Sequence, residues 1–189
     1  QGGGGINHST SATSLTLIHC TVAGNTANGS DGGGGLRVKG GAVTLRNSIL
    51  HGNTCPNATT AADLLRDGAI TRVGDNLIGS DAGNTTMAGT AHSSTPPNLD
   101  TLGDHGGPVP TMPPLSPSPA IDSVAAGHEA AGVTTDARGA PRLVDGDGDG
   151  TALADIGAVE FLPPSPLVVQ NTSNSGPGSL RDTLLVAAA

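Results

Sequence analysis

Asp145-Gly-Asp-Gly-Asp-Gly150 carries three carboxylates that alternate with glycines. Glycine lets the backbone fold tightly, so Asp145, Asp147 and Asp149 can turn towards one point. Positions 1, 3 and 5 of an EF-hand loop supply ligands to calcium in this way, with a glycine at position 6, here Gly150. The fit then ends, because position 12 is Ile156 in place of a bidentate Glu. Asp155 falls one residue early and Glu160 later. The expected cofactor is therefore calcium, held irregularly by Asp145, Asp147 and Asp149 with Asp155 or Glu160 as further donors. The alternative is an acidic, solvated turn.

Asp122, Asp136, Arg138 and Arg142 are further charged candidates. Such residues serve acid–base chemistry in polysaccharide-cleaving enzymes. Arg138 lies two residues from Asp136 and just before Gly139, a spacing that also suits a buried ion pair locking an irregular segment. The pair is the preferred reading, and no residue is assigned a catalytic role. The six histidines are dispersed, and His19 and His51 fall on different phases of the repeat described next. Neither Cys20 nor Cys55 has a close Cys or His partner, and separate small core residues are preferred over a disulfide. There is no Gly-x-Ser-x-Gly elbow, and no glycine run ends in the Lys-Ser/Thr of a phosphate loop.

The elements that must position these groups begin with a repeat. Leu15, Leu17, Val22 and Gly24-Asn-Thr26 align with Val43, Leu45, Leu50 and Gly52-Asn-Thr54, while glycines 2–5 align with 32–35. Apolar residues alternate within each unit, with Leu15 and Leu17 inward and Thr16 outward. Cys20 and Val22 are then inward, with His19 and Thr21 outward. Period two is a strand signal, and the slip between Leu17 and Cys20 predicts a bend between two short strands. Gly-Asn-Thr marks a turn. Stacking such units in register would place Asn25 above Asn53 in an amide ladder. Residues 70–78 form a poorer third unit, and residues 61–66 read as a short helical insert. The predicted fold is all-β: a right-handed parallel β-helix over residues 1–95. Prolines crowd residues 96–119, so residues 96–162 are expected to be irregular wrapping laid over the end of the helix.

Composition agrees with a thin core renewed repeat by repeat. The chain of 189 residues has 30 Gly, 14 Pro, one Phe and neither Trp nor Tyr. Only 35% of residues are hydrophobic, too few for one thick core. A net charge of −8 with eight scattered Lys and Arg argues against nucleic acid. No apolar run approaches the ~20 residues of a membrane span. Gln1 followed at once by glycines reads as the interior of a longer protein.

Four blocks occur in order: Asn98-Leu-Asp-Thr-Leu-Gly-Asp-His-Gly-Gly-Pro108, Ser116-Pro-Ser-Pro-Ala-Ile-Asp122, Thr135-Asp-Ala-Arg-Gly-Ala-Pro-Arg142 and Asp155-Ile-Gly-Ala-Val-Glu-Phe161. Together they resemble the C-terminal part of bacterial choice-of-anchor Q β-helix proteins over about a third of the chain. Val159 departs from the aromatic residue usual in that family, and no anchor segment follows. Residues 163–189 instead read as a linker and the start of a following β-helix module. In that start, Ser179 and Asp182 suit a helix N-terminus. The resemblance implies a right-handed parallel β-helix on an exported protein, often held at the surface, without an established enzyme activity. The expected function is a non-catalytic structural or adhesive module of a secreted or cell-surface bacterial protein. Its partner would be a surface polysaccharide or a host or cell-surface ligand. The alternative is part of a polysaccharide lyase or glycoside hydrolase whose active repeats lie outside this segment.

Overall fold

The computed structural model describes residues 4–30, 32–57, 63–83, 85–164, 175 and 180. Eleven short strands follow one another: β1 (Ile6–His8), β2 (Ser14–Ile18), β3 (Thr21–Ala23), β4 (Leu36–Val38), β5 (Ala42–Arg46), β6 (Ile49–His51), β7 (Leu64–Arg66), β8 (Ala69–Val73), β9 (Leu77–Ile78), β10 (Asp81–Gly83) and β11 (Met87–Gly89). Every third strand is a neighbour in space. The sheets run β1-β4-β7-β10, β2-β5-β8-β11 and β3-β6-β9, and each pairing is parallel. Each of the first three repeats therefore gives one strand to each of three sheets, a fourth gives β10 and β11 to two of them, and the repeats stack in register.

That register matches the sequence alignment. Leu15 pairs with Val43 and then Ile70, Leu17 with Leu45, and Val22 with Leu50 and then Ile78. Their side chains fill the space between the sheets together with Leu36, Val38 and Leu64. Residues 70–78 do form the third unit, led by β7. The phase slip at the bend has a backbone cause: His19 and Asn47 sit at φ 45° and 48°, and Gly74 occupies the same bend at φ 64°. One left-handed residue turns the chain and exchanges the inward and outward faces. At the next corner Gly24 and Gly52 take φ near 70°. The glycine runs serve a different need. A Cβ on Gly34 would lie 2.3 Å from the Thr54 carbonyl oxygen, so the run allows two stretches of backbone to touch.

Two expectations are corrected. Leu64–Arg66 is a strand rather than part of a helix, because Leu64 stacks on Leu36 with no exposure; residues 61 and 62 lie outside the described residues. Residues 96–162 do not close the end of the stack. They lie along its flank, on the outward face of β3-β6-β9. Ile49 and Leu77 point outward there and are buried by Ala120, Val124, Ala154 and Ile156. The segment is irregular as expected, held by isolated antiparallel bridges such as Val124 with Ala154 and Val144 with Leu153. Main-chain bonds tie it to the stack, from Gly157 N to Asn47 O at 2.9 Å and from Ala158 N to Thr21 Oγ1 at 3.0 Å. Cys20 and Cys55 are both free thiols. Apart from Ser175 and Leu180, the expected following module over residues 167–189 lies outside the described residues.

Candidate functional site: an acidic turn above a buried charge network

Residues 145–151 fold as a chain of turns closed by their own carboxylates. Asp145 accepts bonds from Gly148 N at 2.8 Å and Gly150 N at 3.0 Å, and Asp147 accepts from Asp149 N at 3.0 Å. Asp149 turns away to cap Thr151 N at 2.7 Å. The third carboxylate at the turn comes from Asp122, at φ 47°. It accepts bonds from Gly146 N at 2.7 Å, Asp147 N at 2.8 Å and Leu153 N at 3.2 Å. One oxygen each from Asp122, Asp145 and Asp147 lies within 4.8 Å of the others, close enough to share a cation. Of the five residues expected from sequence, Asp145 and Asp147 are thus gathered, and Asp149, Asp155 and Glu160 are not.

Asp155 and Glu160 lie beneath the turn, each about 1% exposed. Asp155 accepts bonds from the amides of Asp122, at 2.8 Å, and Phe161. Glu160 accepts the Asp155 amide at 2.9 Å and Arg142 Nη1 at 2.6 Å. Arg142 also donates to the carbonyls of Gly157 at 2.9 Å and Ala158 at 3.3 Å. Beside them Asp136 and Arg138 form the anticipated pair, with Nε to Oδ2 at 2.9 Å, the Asp136 side chain buried and that of Arg138 half-buried. Arg138 donates on to Glu160 O at 2.6 Å. The network is continuous from Asp122 through Asp155, Glu160 and Asp136 to the two arginines.

Its electrostatics follow from burial. Desolvation pushes the Asp155 carboxyl up to about 6, against the amides of Phe161 and Asp122 that favour its charge. Desolvation and then the charge of Asp155 push Glu160 up to about 8. Burial also opposes ionisation of Asp136, but the amides of Glu160, Arg138 and Ala140 and the Arg138 guanidinium outweigh it and hold that carboxyl below its ordinary value. His19, outward of the inner core yet covered by the flanking segment, is brought down to about 4 by burial and then by the charge of Arg142. It remains neutral at pH 7 and meets Asn47 Nδ2 at 3.2 Å.

Other anchoring residues carried no sequence signal. Arg46 Nη2 reaches the carbonyls of His128 at 3.0 Å and Glu129 at 2.6 Å. Asp75 accepts Ala125 N at 2.9 Å and meets His128 Nδ1 at 2.8 Å. A cavity of about 460 Å³ between stack and flank is lined by His19, Ala130, Val133, Pro141, Arg142 and Leu143 among others. No helix among the described residues is long and apolar enough to cross a membrane. Comparison of the chain with family models, curated proteins and solved structures finds no match in any of the three.

Proposed function

We propose that the chain is a non-catalytic structural or adhesive module of the choice-of-anchor Q class, a right-handed parallel β-helix carried by a secreted or cell-surface bacterial protein. The observation that carries this reading is the outward face of β2-β5-β8. Thr16, Thr44 and Thr71 stack there in register, and its other outward positions are Ser14, Ile18, Ala42, Arg46, Ala69 and Val73. A carbohydrate-cleaving groove needs two carboxylates facing one bond, and this face has none. Asp136, Asp155, Glu160, Arg138 and Arg142 are engaged with one another and with backbone amides and carbonyls. Partners in this reading are surface polysaccharides or cell-surface ligands that meet the threonine column of this face.

Calcium enters the same proposal as a structural ion at Asp122, Asp145 and Asp147. The donor set is all carboxylate oxygen, the chemistry a hard divalent cation takes. The test of the functional reading is incubation of the purified chain with pectate, alginate and β-glucan. No release of reducing or unsaturated ends is expected. Turnover abolished by Asp122→Asn or Asp136→Asn would replace the module with an enzyme.

A further inference from the structure

The two ends of the stack are built differently. At the trailing end two inward columns turn polar, Leu64 being followed by Asp81 and Leu45 by Arg72, while the other two stop on Met87 and Ile78. Arg72 donates towards the carbonyls of Ala88 and Met87 and meets His92 Nδ1 at 2.7 Å. Arg66 donates to Thr85 O at 2.9 Å and pairs with Asp81. Strands of three residues or fewer, charges and arginine caps are the devices that blunt a sheet edge.

At the leading end β1, β2 and β3 are the edge strands of all three sheets, and no described strand pairs with their free sides. The inward columns stop on Ile6, Leu15, Leu17 and Val22, of which Ile6 and Leu15 are only partly buried, while Leu36, Leu45 and Leu50 behind them have no exposure. No Asp, Glu, Lys or Arg precedes Asp31 in the chain, so charge does not guard this edge. Two features also prescribe what would fit. In the corner ladder Asn53 Oδ1 accepts the amide of Asn25, one repeat earlier, at 3.0 Å. Asn25 Oδ1, one step on, is placed to accept the same amide of a preceding repeat. Beside it, the hairpin bridged at Leu99–Pro114 and Gly103–Thr111 reaches along the first repeat. Leu102 and Val109 are 67% and 53% exposed, and with Thr21, Ala23 and Asn25 they wall a cleft of about 260 Å³. Deeper in the flank the outward residues Ile49 and Leu77, which continue the column of Thr21, are covered by apolar side chains. The cleft offers that same cover to one more outward residue.

We propose that this edge is a docking face for one further repeat of the same pattern. Its third strand pairs in parallel with β3 and seats beneath Leu102 and Val109. A second copy fits less well, because the parallel edge that its described residues offer is the trailing end, which carries Arg66, Arg72 and Asp81.

The test offers the intact chain a synthetic peptide of residues 32–54, the second repeat, and follows amide hydrogen exchange. Expected is a saturable gain of protection in Ser14–Ile18 and Thr21–Ala23, with none in Asp81–Gly83 or Met87–Gly89. The double variant Leu102→Ser/Val109→Ser, with unchanged melting, should bind at least tenfold more weakly. A chain with residues 32–59 duplicated ahead of Gly2 gives a second measurement, in which the same amides gain protection and the melting temperature rises. Protection at the trailing end would overturn the proposal. So would a dimer through the leading edge that the peptide cannot displace, or no gain of protection from either the peptide or the duplicated repeat.

Discussion

Replacing Asn53 tests whether the corner ladder holds the repeats together. The side chain is 4% exposed and makes bonds in both directions along the stack. Its Oδ1 accepts the backbone amide and the Nδ2 of Asn25, both at 3.0 Å. Its Nδ2 donates to Val22 O and to Asp63 Oδ1, both at 2.9 Å. Asn53→Ala removes all of these, leaves the Asn25 amide without its acceptor and takes the side-chain donors from the Val22 carbonyl and Asp63. With ~1 kcal/mol for a typical lost bond and ~1–3 kcal/mol for a buried group left without a partner, the expected loss is ~2–4 kcal/mol. That is a large part of the ~5–15 kcal/mol that holds a domain together. Asn25→Ala, at the open edge, should cost only ~1 kcal/mol. Asn53→Asp should exceed the alanine variant at pH 7, because it sets a second carboxylate against Asp63 and removes the donor to Val22. Part of that excess should vanish below pH ~4, where carboxylates take up protons. Urea unfolding with a common slope gives the differences. An Asn53→Ala variant within ~0.5 kcal/mol of the parent, the range of an ordinary surface substitution, would show that the ladder decorates the stack and does not hold it.

The buried carboxyls predict an acid-shifted stability optimum. Asp155 and Glu160 are held above their ordinary values, so the folded state binds more protons, and stability falls as pH rises through about 6 and then about 8. Asp136 is held low, so its contribution is present at neutral pH and is lost on acidification below its ordinary value of 3.8. Melting should therefore peak in mild acid and decline towards pH 9, and Glu160→Gln should flatten the decline above pH 6; a level profile in the parent chain contradicts both shifts. For the acidic turn, melting should rise in millimolar Ca²⁺ and fall with chelator, with a gain of ~2.7 kcal/mol at a hundredfold excess over the dissociation constant. Asp122→Asn and Asp147→Asn should abolish the response and Asp149→Asn should keep it, whereas loss of the response in Asp149→Asn alone would restore the contiguous-loop ligand set.

The stacked repeats were legible because their cause is local and periodic. From β2 and β3 to β5 and β6 each inward residue is apolar, its partner stands 28 residues on, and the Asn corner repeats at the same interval. The carboxylate cluster was only half legible. An EF-hand frame looks for the remaining ligands downstream in one loop, and so it nominated Asp155 and Glu160. The turn is instead closed from behind by Asp122, 25 residues before Asp147, through contacts that no local spacing encodes. The position of residues 96–162 had a signal that went unused. Ile49-Leu50 and Leu77-Ile78 are adjacent apolar pairs, where alternation would place a polar residue outward. A strand apolar on both faces is covered on both, and these pairs mark the face on which the flank lies.

That placement changes how the stack can come apart. In a plain solenoid each repeat touches only its neighbours, so unfolding can start at an open end and proceed one repeat at a time. Here one segment bonds the first repeat at Thr21, the second at Arg46 and Asn47, and the third at Asp75. Detaching the first repeat therefore also frees Ala158, whose neighbour Val159 is buried and whose next residue, Glu160, belongs to the Arg142 pair. Loss at the edge is thereby coupled to the charge network and, through it, to the third repeat. The buried ion pairs need not favour folding by themselves to matter, since desolvation offsets much of their attraction. Their contribution is to fix an irregular, proline-rich segment in one conformation, so that it links non-adjacent repeats and gives a thin core the cooperativity that nearest-neighbour stacking lacks.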